Sequence, residues 1–222
     1  FIAEGQPNRI NPALHIEDFA RTVQELTVFY ALGGNSIVDA QPLGCGRMEK
    51  WLMHASRETG IHIVASTGFH KRVFYSKDHW LFHYHTDQLT DIFVHEILTG
   101  MYVGTDECEP SVHIQAKAGI IKTAIDTDEI NTEDKRLFVA AAQAAIKTGA
   151  SLMCHVESGL QAMKVIDFYG SYGVNPKQII ICHLDRDVNQ LEPNKEVAAT
   201  GVYLEYDTIG RYKYHSDEEE AV

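Results

Sequence analysis

Ala118-Gly119-Ile120-Ile121-Lys122 is a short apolar run that ends in a lysine. The pattern recurs twice with a different last residue. Ser151-Leu152-Met153-Cys154 runs into His155, and Ile179-Ile180-Ile181-Cys182 runs into His183. Each run has the length of one buried strand, and each finishes on a side chain able to bind a metal or move a proton. Lys122 and His155 are 33 residues apart, and His155 and His183 are 28 apart. That spacing matches one strand-helix-strand unit of roughly 30 residues each time. If the strands are parallel neighbours, the three residues emerge at one edge of a single sheet. The carboxyl ends of the strands are where α/β sheets place their chemistry.

The bulk composition sets limits on what such a sheet can do. With 222 residues the chain makes one large domain or two small ones, and 45% hydrophobic with 23% charged residues is an ordinary soluble globular balance. No apolar run approaches the ~20 residues of a membrane span, so no membrane partner is expected. A net charge of −12 without a Lys/Arg-rich run disfavours a nucleic-acid partner. Glu4, Gln6 and Asn8 interrupt the start, which does not read as a signal peptide, and the sequence begins at Phe1, which reads as a processed or partial chain. Cys45, Cys108, Cys154 and Cys182 have no CxxC spacing and read as free thiols in a reducing cytoplasm.

The rest of the chain alternates helix and strand. Residues 1–14 read as a loop. Apolar positions Phe19, Val23, Leu26, Phe29 and Tyr30 predict a helix from Ile16 to Leu32, stopped by Gly33-Gly34. A strand at Ser36–Asp39, a helix from Arg47 to Thr59 and a strand at Ile61–Ala65 follow. An aromatic-rich insert spans Lys71 to Thr86, and its His79, His83 and His85 read as surface residues. Thr86 reads as the N-cap of a helix to Leu98. Beyond an irregular stretch over 101–116, helices are expected at 132–148, 159–172 and 190–199, a last strand at Gly201–Tyr206, and an acidic helix start at 217–222. Six strands alternating with helices predict a parallel α/β sheet, either doubly wound or an eight-stranded barrel lacking two strands. No GxGxxG or GxxxxGK loop follows any strand, which weakens nucleotide binding.

Each site candidate has an ordinary reading beside the chemical one. Lys122 alone is as readily a lysine reaching solvent from a strand edge as a buried one put to use. His155 alone could be a hydrogen-bonded structural residue. His183 carries more, because His183-Leu184-Asp185 supplies a carboxylate, Asp185, able to orient a metal-bound imidazole from behind. All three on successive strand ends argue for a shared site.

Together these residues resemble the phosphotriesterase-related branch of the amidohydrolase superfamily. Gly33-Gly-Asn-Ser-Ile-Val-Asp39 with Gly44-Cys-Gly-Arg47, Thr67-Gly-Phe69, and Tyr203-Leu-Glu-Tyr-Asp-Thr-Ile-Gly210 match that family's second, third and seventh strands. The resemblance covers essentially the whole chain and implies a (β/α)8 TIM barrel of which strands 2–7 are visible. It implies divalent metals, two per site and usually zinc, with Lys122 as a carbamate formed with CO2 and His155 and His183 as ligands. The family's His-X-His of strand 1 and aspartate of strand 8 have no counterpart between Phe1 and Val222. That leaves three of six expected protein ligands, and two readings stay open: a partial record of an active barrel, or a catalytically inactive barrel fragment whose open edges take a partner.

The resemblance also bears on substrate. Organophosphate-hydrolysing members use an acidic-His relay where Arg186 and Thr208 stand here. The Thr67–Lys71 junction and the Ile209–Tyr214 loop are similar instead to bacterial sugar-lactone hydrolases, including those acting on phosphorylated furanose lactones. The activity implied is therefore a lactonase opening a sugar or phosphosugar lactone with a metal-bound hydroxide, with an amidase, esterase or promiscuous phosphotriesterase as the alternative. Arg211, Lys213 and Tyr214 could hold a phosphate, or form a solvated basic loop facing the 217–220 acids. His70 stands where related lactonases carry a Tyr near the metals and is expected to touch substrate. A small-molecule substrate is the expected partner, and the sequence leaves room for a homo-oligomer.

Overall fold

The computed structural model describes residues 18–125, 128–186, 189 and 191–220. The loop expected over 1–14, the start of the first helix at 16–17, residue 190 and residues 221–222 lie outside that range.

Helix α1 (Phe19–Ala31) is capped by Asp18, whose carboxylate accepts the Arg21 N–H at 3.0 Å. Strand β1 (Ser36–Asp39) leads through a glycine-containing loop to α2 (Glu49–Thr59). Helix α2 starts two residues later than the apolar spacing predicts, because Arg47 is drawn inward. Its guanidinium makes a two-pronged pair with Glu96 at 2.8 and 2.7 Å and donates to the carbonyls of Ser66 and Tyr102. Strand β2 (His62–Gly68) runs further than expected and is followed by two 3-10 turns, Arg72–Phe74 and Trp80–Phe82, in the aromatic insert. His79, read as a surface residue, is in fact buried there, its Nε2 3.0 Å from the Thr105 carbonyl oxygen. Helix α3 (Thr86–Leu98) is capped by His85 rather than Thr86, with Gln88 accepting the His85 N–H at 2.9 Å. The stretch over 101–116 holds one antiparallel bridge, Tyr102 to His113.

Strand β3 (Ile120–Ala124) is buried along its full length. Helix α4 (Lys135–Thr148) starts three residues after the predicted point, since Asn131 and Asp134 close a turn on each other at 2.8 and 2.9 Å. Strand β4 (Ser151–His155), helix α5 (Gly159–Ser171) and strand β5 (Ile179–Cys182) follow as the pattern predicts, with His183 one residue past β5. Helix α6 (Leu191–Ala199) precedes β6, which pairs over Tyr203–Leu204 only, shorter than the expected 201–206. Helix α7 (Asp217–Glu220) spans one turn among the described residues.

All six strands are parallel, and each lies beside its sequence neighbour, in the order β1-β2-β3-β4-β5-β6. A doubly wound sheet reverses direction at a switch point. This one never does, so it is wound as a barrel is: six strands of a half-barrel. Side chains alternate across it. The outward set (Ile121, Leu152, Cys154, Ile179, Ile181) packs in the main core with α4 and α5, including Leu137, Phe138, Val165 and Tyr169. Alanines 140, 141, 144 and 145 are fully buried, and their small size lets α4 lie close to its neighbours. The inward set makes a second cluster of Ile120, Met153 and Cys182. Register places Lys122 beside Gly68 and Met153, on that inward side. Among the described residues, no helix is long and apolar enough to cross a membrane. All four cysteines are free thiols, three of them buried and Cys108 exposed.

Candidate metal centre

Neighbouring strands bring Lys122, His155 and His183 together, although β3 runs two residues beyond Lys122, which the apolar run had marked as its end. Lys122 is 3% exposed, inside the sheet's concave face. Among the described residues its amine meets no oxygen partner. Its hydrogen-bond contact is the Cys182 sulfur at 3.8 Å. His155, two residues higher in register, lies with its ring centroid 4.5 Å from that of His183, at a 72° angle. His70 joins them, its ring 5.5 Å from His155.

Each of the two strand-end imidazoles is fixed by a carboxylate through one nitrogen. His155 Nε2 donates to Glu157 Oε1 at 2.8 Å, which leaves Nδ1 as the lone-pair nitrogen. His183 Nδ1 donates to Asp207, 2.8 Å to Oδ1 and 2.6 Å to Oδ2, which leaves Nε2. This is the arrangement that sets tautomer and ring angle in metal-binding histidines. Burial pushes the His155 imidazole down to about 3 against the opposing bond to Glu157, with His183, Lys71 and Lys122 adding to the fall. Burial, then the charge of Lys122, pushes His70 down to about 2. Both rings are therefore neutral at physiological pH, the form that binds a cation. His70 Nδ1 accepts the Lys71 N–H at 2.8 Å, so its proton sits on Nε2.

Glu157 ties the rim together. It receives Lys71 Nζ at 2.6 Å and Arg186 Nη1 as well as His155. Burial alone would raise its carboxyl, but the bonds from Lys71 and His155 bring it down to about 2. Asp207 is likewise held below its ordinary range: the His183 bond outweighs its burial.

The carboxylate expected behind His183 was Asp185. The structure assigns that place to Asp207 and uses Asp185 elsewhere: its Oδ2 accepts the Thr208 N–H at 2.6 Å. The reason is backbone geometry. His183 has φ 67°, in the left-handed region, so the chain turns there and the residue two positions on no longer shares its face. His155 ends a regular strand, and Glu157, at the same spacing, does come back to its ring. Glu157 and Asp207 were both overlooked at the sequence level. A carboxylate two residues past a strand-end histidine is the signal that would have found Glu157.

Arg211, Lys213 and Tyr214 lie in the loop after β6. Arg211, Lys213 and Arg186 surround the Tyr214 ring, at 5.5, 4.5 and 5.4 Å from its centroid. Arg186 also reaches Glu157, so this basic group borders the histidine pair.

Among the described residues, no three or more His, Cys, Asp or Glu side chains form a metal-holding group. The donor set that fits a divalent cation is two oriented imidazoles with an amine-bearing Lys122 beneath them, a set that lies partly outside those four residue types.

Comparison with known proteins bears on the family and the fold. The phosphotriesterase family model matches residues 7–221. A phospho-furanose lactonase of Mycoplasmopsis synoviae is 31% identical over 200 residues, covering 88% of this chain and 57% of the relative. One from Mycoplasmopsis agalactiae is 30% identical, covering 93% and 60%. The chain thus spans about three fifths of the length of these relatives. Among solved structures, a lactonase from Listeria monocytogenes superposes with a TM-score of 0.81 at 26% identity, over 92% of this chain and 64% of that one. An amidohydrolase from Mycoplasma synoviae gives 0.81 at 31%, over 92% and 59%. Half-barrel topology, paired strand-end histidines and a family match over nearly every residue lead to one conclusion: the chain belongs to the phosphotriesterase family.

Proposed function

We propose that this protein is a metal-dependent lactonase acting on a phosphorylated furanose lactone. The observation that carries the reading is the pair of imidazoles, each locked by a carboxylate through one nitrogen and presenting the other beside the buried Lys122. In this reading His155 Nδ1, His183 Nε2 and Lys122, as a carbamate formed with CO2, hold a divalent cation, with zinc the first candidate. When bound, such a cation acidifies water and polarises a carbonyl.

The protein's own groups do the rest. Glu157 and Asp207 keep the two histidines in the required tautomers. His70, with its proton on Nε2, offers a donor to a substrate oxygen. Arg211 and Lys213, exposed beside Tyr214, offer charge-assisted bonds to a phosphate. The two relatives called phospho-furanose lactonases support that choice. Phosphotriester hydrolysis is less well supported. Arg186 is engaged by Glu157, and Thr208 is fully buried against Asp185, so neither serves as an acid-base relay. Free thiols without a disulfide fit a cytoplasmic setting.

The test is a substrate panel on the zinc-supplemented protein. Phosphorylated furanose lactones should turn over with kcat/KM at least about tenfold above their unphosphorylated counterparts, and above amides and phosphotriesters. Equal rates with and without the phosphate would remove the phosphosugar assignment. Faster amide cleavage would replace the lactonase reading with an amidase.

A further inference from the structure

The loop after β6 is closed at its base by a buried histidine that the reaction above leaves unused. Between Thr208 and Asp217 the chain folds back on itself. The Arg211 N–H donates to the Thr208 carbonyl at 2.7 Å, the Tyr214 N–H to the Arg211 carbonyl at 3.0 Å, and the Gly210 N–H to Asp217 Oδ1 at 2.7 Å. Arg211, Tyr212 and Lys213 in its middle are exposed. Its two ends are not, with Thr208 at 0% and His215 at 8%. Both ends meet on Asp185, two residues beyond His183. The Thr208 N–H donates to Asp185 Oδ2 at 2.6 Å. His215 Nε2 lies 2.5 Å from the Asp185 carbonyl oxygen and 2.9 Å from Thr208 Oγ1. Its Nδ1 lies 3.0 Å from the Ser216 carbonyl oxygen. A compact loop with apposed ends is an Ω-loop, a form used often for function.

Counting protons on His215 is decisive. A carbonyl oxygen only accepts, so Nε2 must carry a hydrogen toward Asp185, and Nδ1 must carry one toward Ser216. A neutral imidazole has a single N–H. Only the imidazolium satisfies both contacts. In the neutral form one ring lone pair faces a carbonyl lone pair, and a buried polar contact is lost. One acidic group near the ring suits a cation: Glu219, whose carboxyl is held below its ordinary range by its bonds from Ser216 and in part by the charge of His215. Asp185 bonds to Thr208 beside it, and its Oδ1 has no partner among the described residues. Asp217 closes the loop, and Glu219 accepts both the N–H and the hydroxyl of Ser216.

We propose that His215, as an imidazolium, is the latch that positions the Arg211–Tyr214 loop against the strand end carrying His183, and that the loop loosens when this proton is lost. His215 is a positioning residue. The latch stands on its own geometry; its consequence for phosphate rests on the substrate reading above.

Trypsin tests it without any need for turnover, since it cuts after Arg211 and Lys213 only when the loop opens. Cleavage at these two bonds, normalised to a free peptide of the same sequence, should be slow in the wild type at about pH 6. It should rise about tenfold or more at about pH 9, above the ordinary imidazole range. His215→Phe should cut at the fast rate at both pH values, with cleavage elsewhere unchanged. Rates that do not differ between wild type and His215→Phe overturn the latch. Should that variant fail to fold, 15N NMR of the wild-type imidazoles decides: two N–H groups on His215 at about pH 6 support it, and one bare nitrogen overturns it. Inorganic phosphate separates the two readings. Protection of the wild-type loop by phosphate supports the phosphate subsite, and lack of protection counts against that subsite alone.

Discussion

His155 and His183 show how one spacing yields two outcomes. Each is followed two residues later by a carboxylate, yet only Glu157 returns to its histidine, because His183 sits at φ 67°. The ligand candidates were readable from sequence, since apolar runs closing on Lys or His mark buried strands, although β3 continues two residues past Lys122. Of their supporting carboxylates, Glu157 was signalled by its spacing, but Asp207 was not, since the left-handed residue at His183 redirects the chain after it. A non-glycine residue held there costs on the order of 1 kcal/mol and points to use of the side chain. His183→Gly should therefore abolish turnover while urea unfolding shows a stability change within about 1 kcal/mol, strain relief offsetting the lost Asp207 bond. Asp207→Asn should lower kcat/KM by about 10- to 100-fold with the fold intact by circular dichroism. A pH effect belongs to Asp39. Burial pushes its carboxyl pKa up, against the bond from the Gln41 N–H and the charge of Arg47. The folded state then binds the proton more tightly than the unfolded one, so stability falls as pH rises through the folded pKa. Asp39→Asn keeps the acceptor for Gln41 and should raise Tm by a few degrees at neutral pH. Thermal melts should show that gain fading as pH drops toward about 3.9.

At the level of elements, strands β1 to β5 and all the helices were readable from periodicity, and the errors lie at their ends. Helix α2 starts late because Arg47 serves Glu96 across 49 residues of sequence, and α4 because Asn131 and Asp134 bond each other. No local pattern carries such long-range or turn-specific pairings. Strand β6 is short because the chain leaves the sheet after Leu204 to place Asp207 and Thr208. The Arg47–Glu96 pair joins the β1–α2 loop to α3 in a setting where both side chains are essentially unexposed. Glu96→Gln removes the two-pronged counter-charge and leaves the guanidinium only the more distant Glu49 at 4.0 Å, which should cost about 3 kcal/mol in chemical denaturation. Strands β2 and β3 meet as closely at Gly68, where φ is 95° and an added Cβ would lie 2.0 Å from the Lys122 carbonyl oxygen. Gly68→Ala should force the Lys122 backbone aside and lose most activity as well as stability.

For the whole molecule, alternation of helix and strand indicated a parallel sheet but left its winding open. Sequential pairing of all six strands resolves it as a half-barrel. That winding places the ends of β3, β4 and β5 side by side, and so makes Lys122, His155 and His183 one site rather than three isolated residues. The central claim is that this site holds a divalent metal. The most direct measurement is metal content, by inductively coupled plasma mass spectrometry, of wild-type protein and Lys122→Ala purified identically and exposed to zinc. The account predicts tightly held zinc in the wild type and loss of most of it in Lys122→Ala at an unchanged circular dichroism spectrum. Equal zinc in both proteins, or none retained by the wild type, would contradict it.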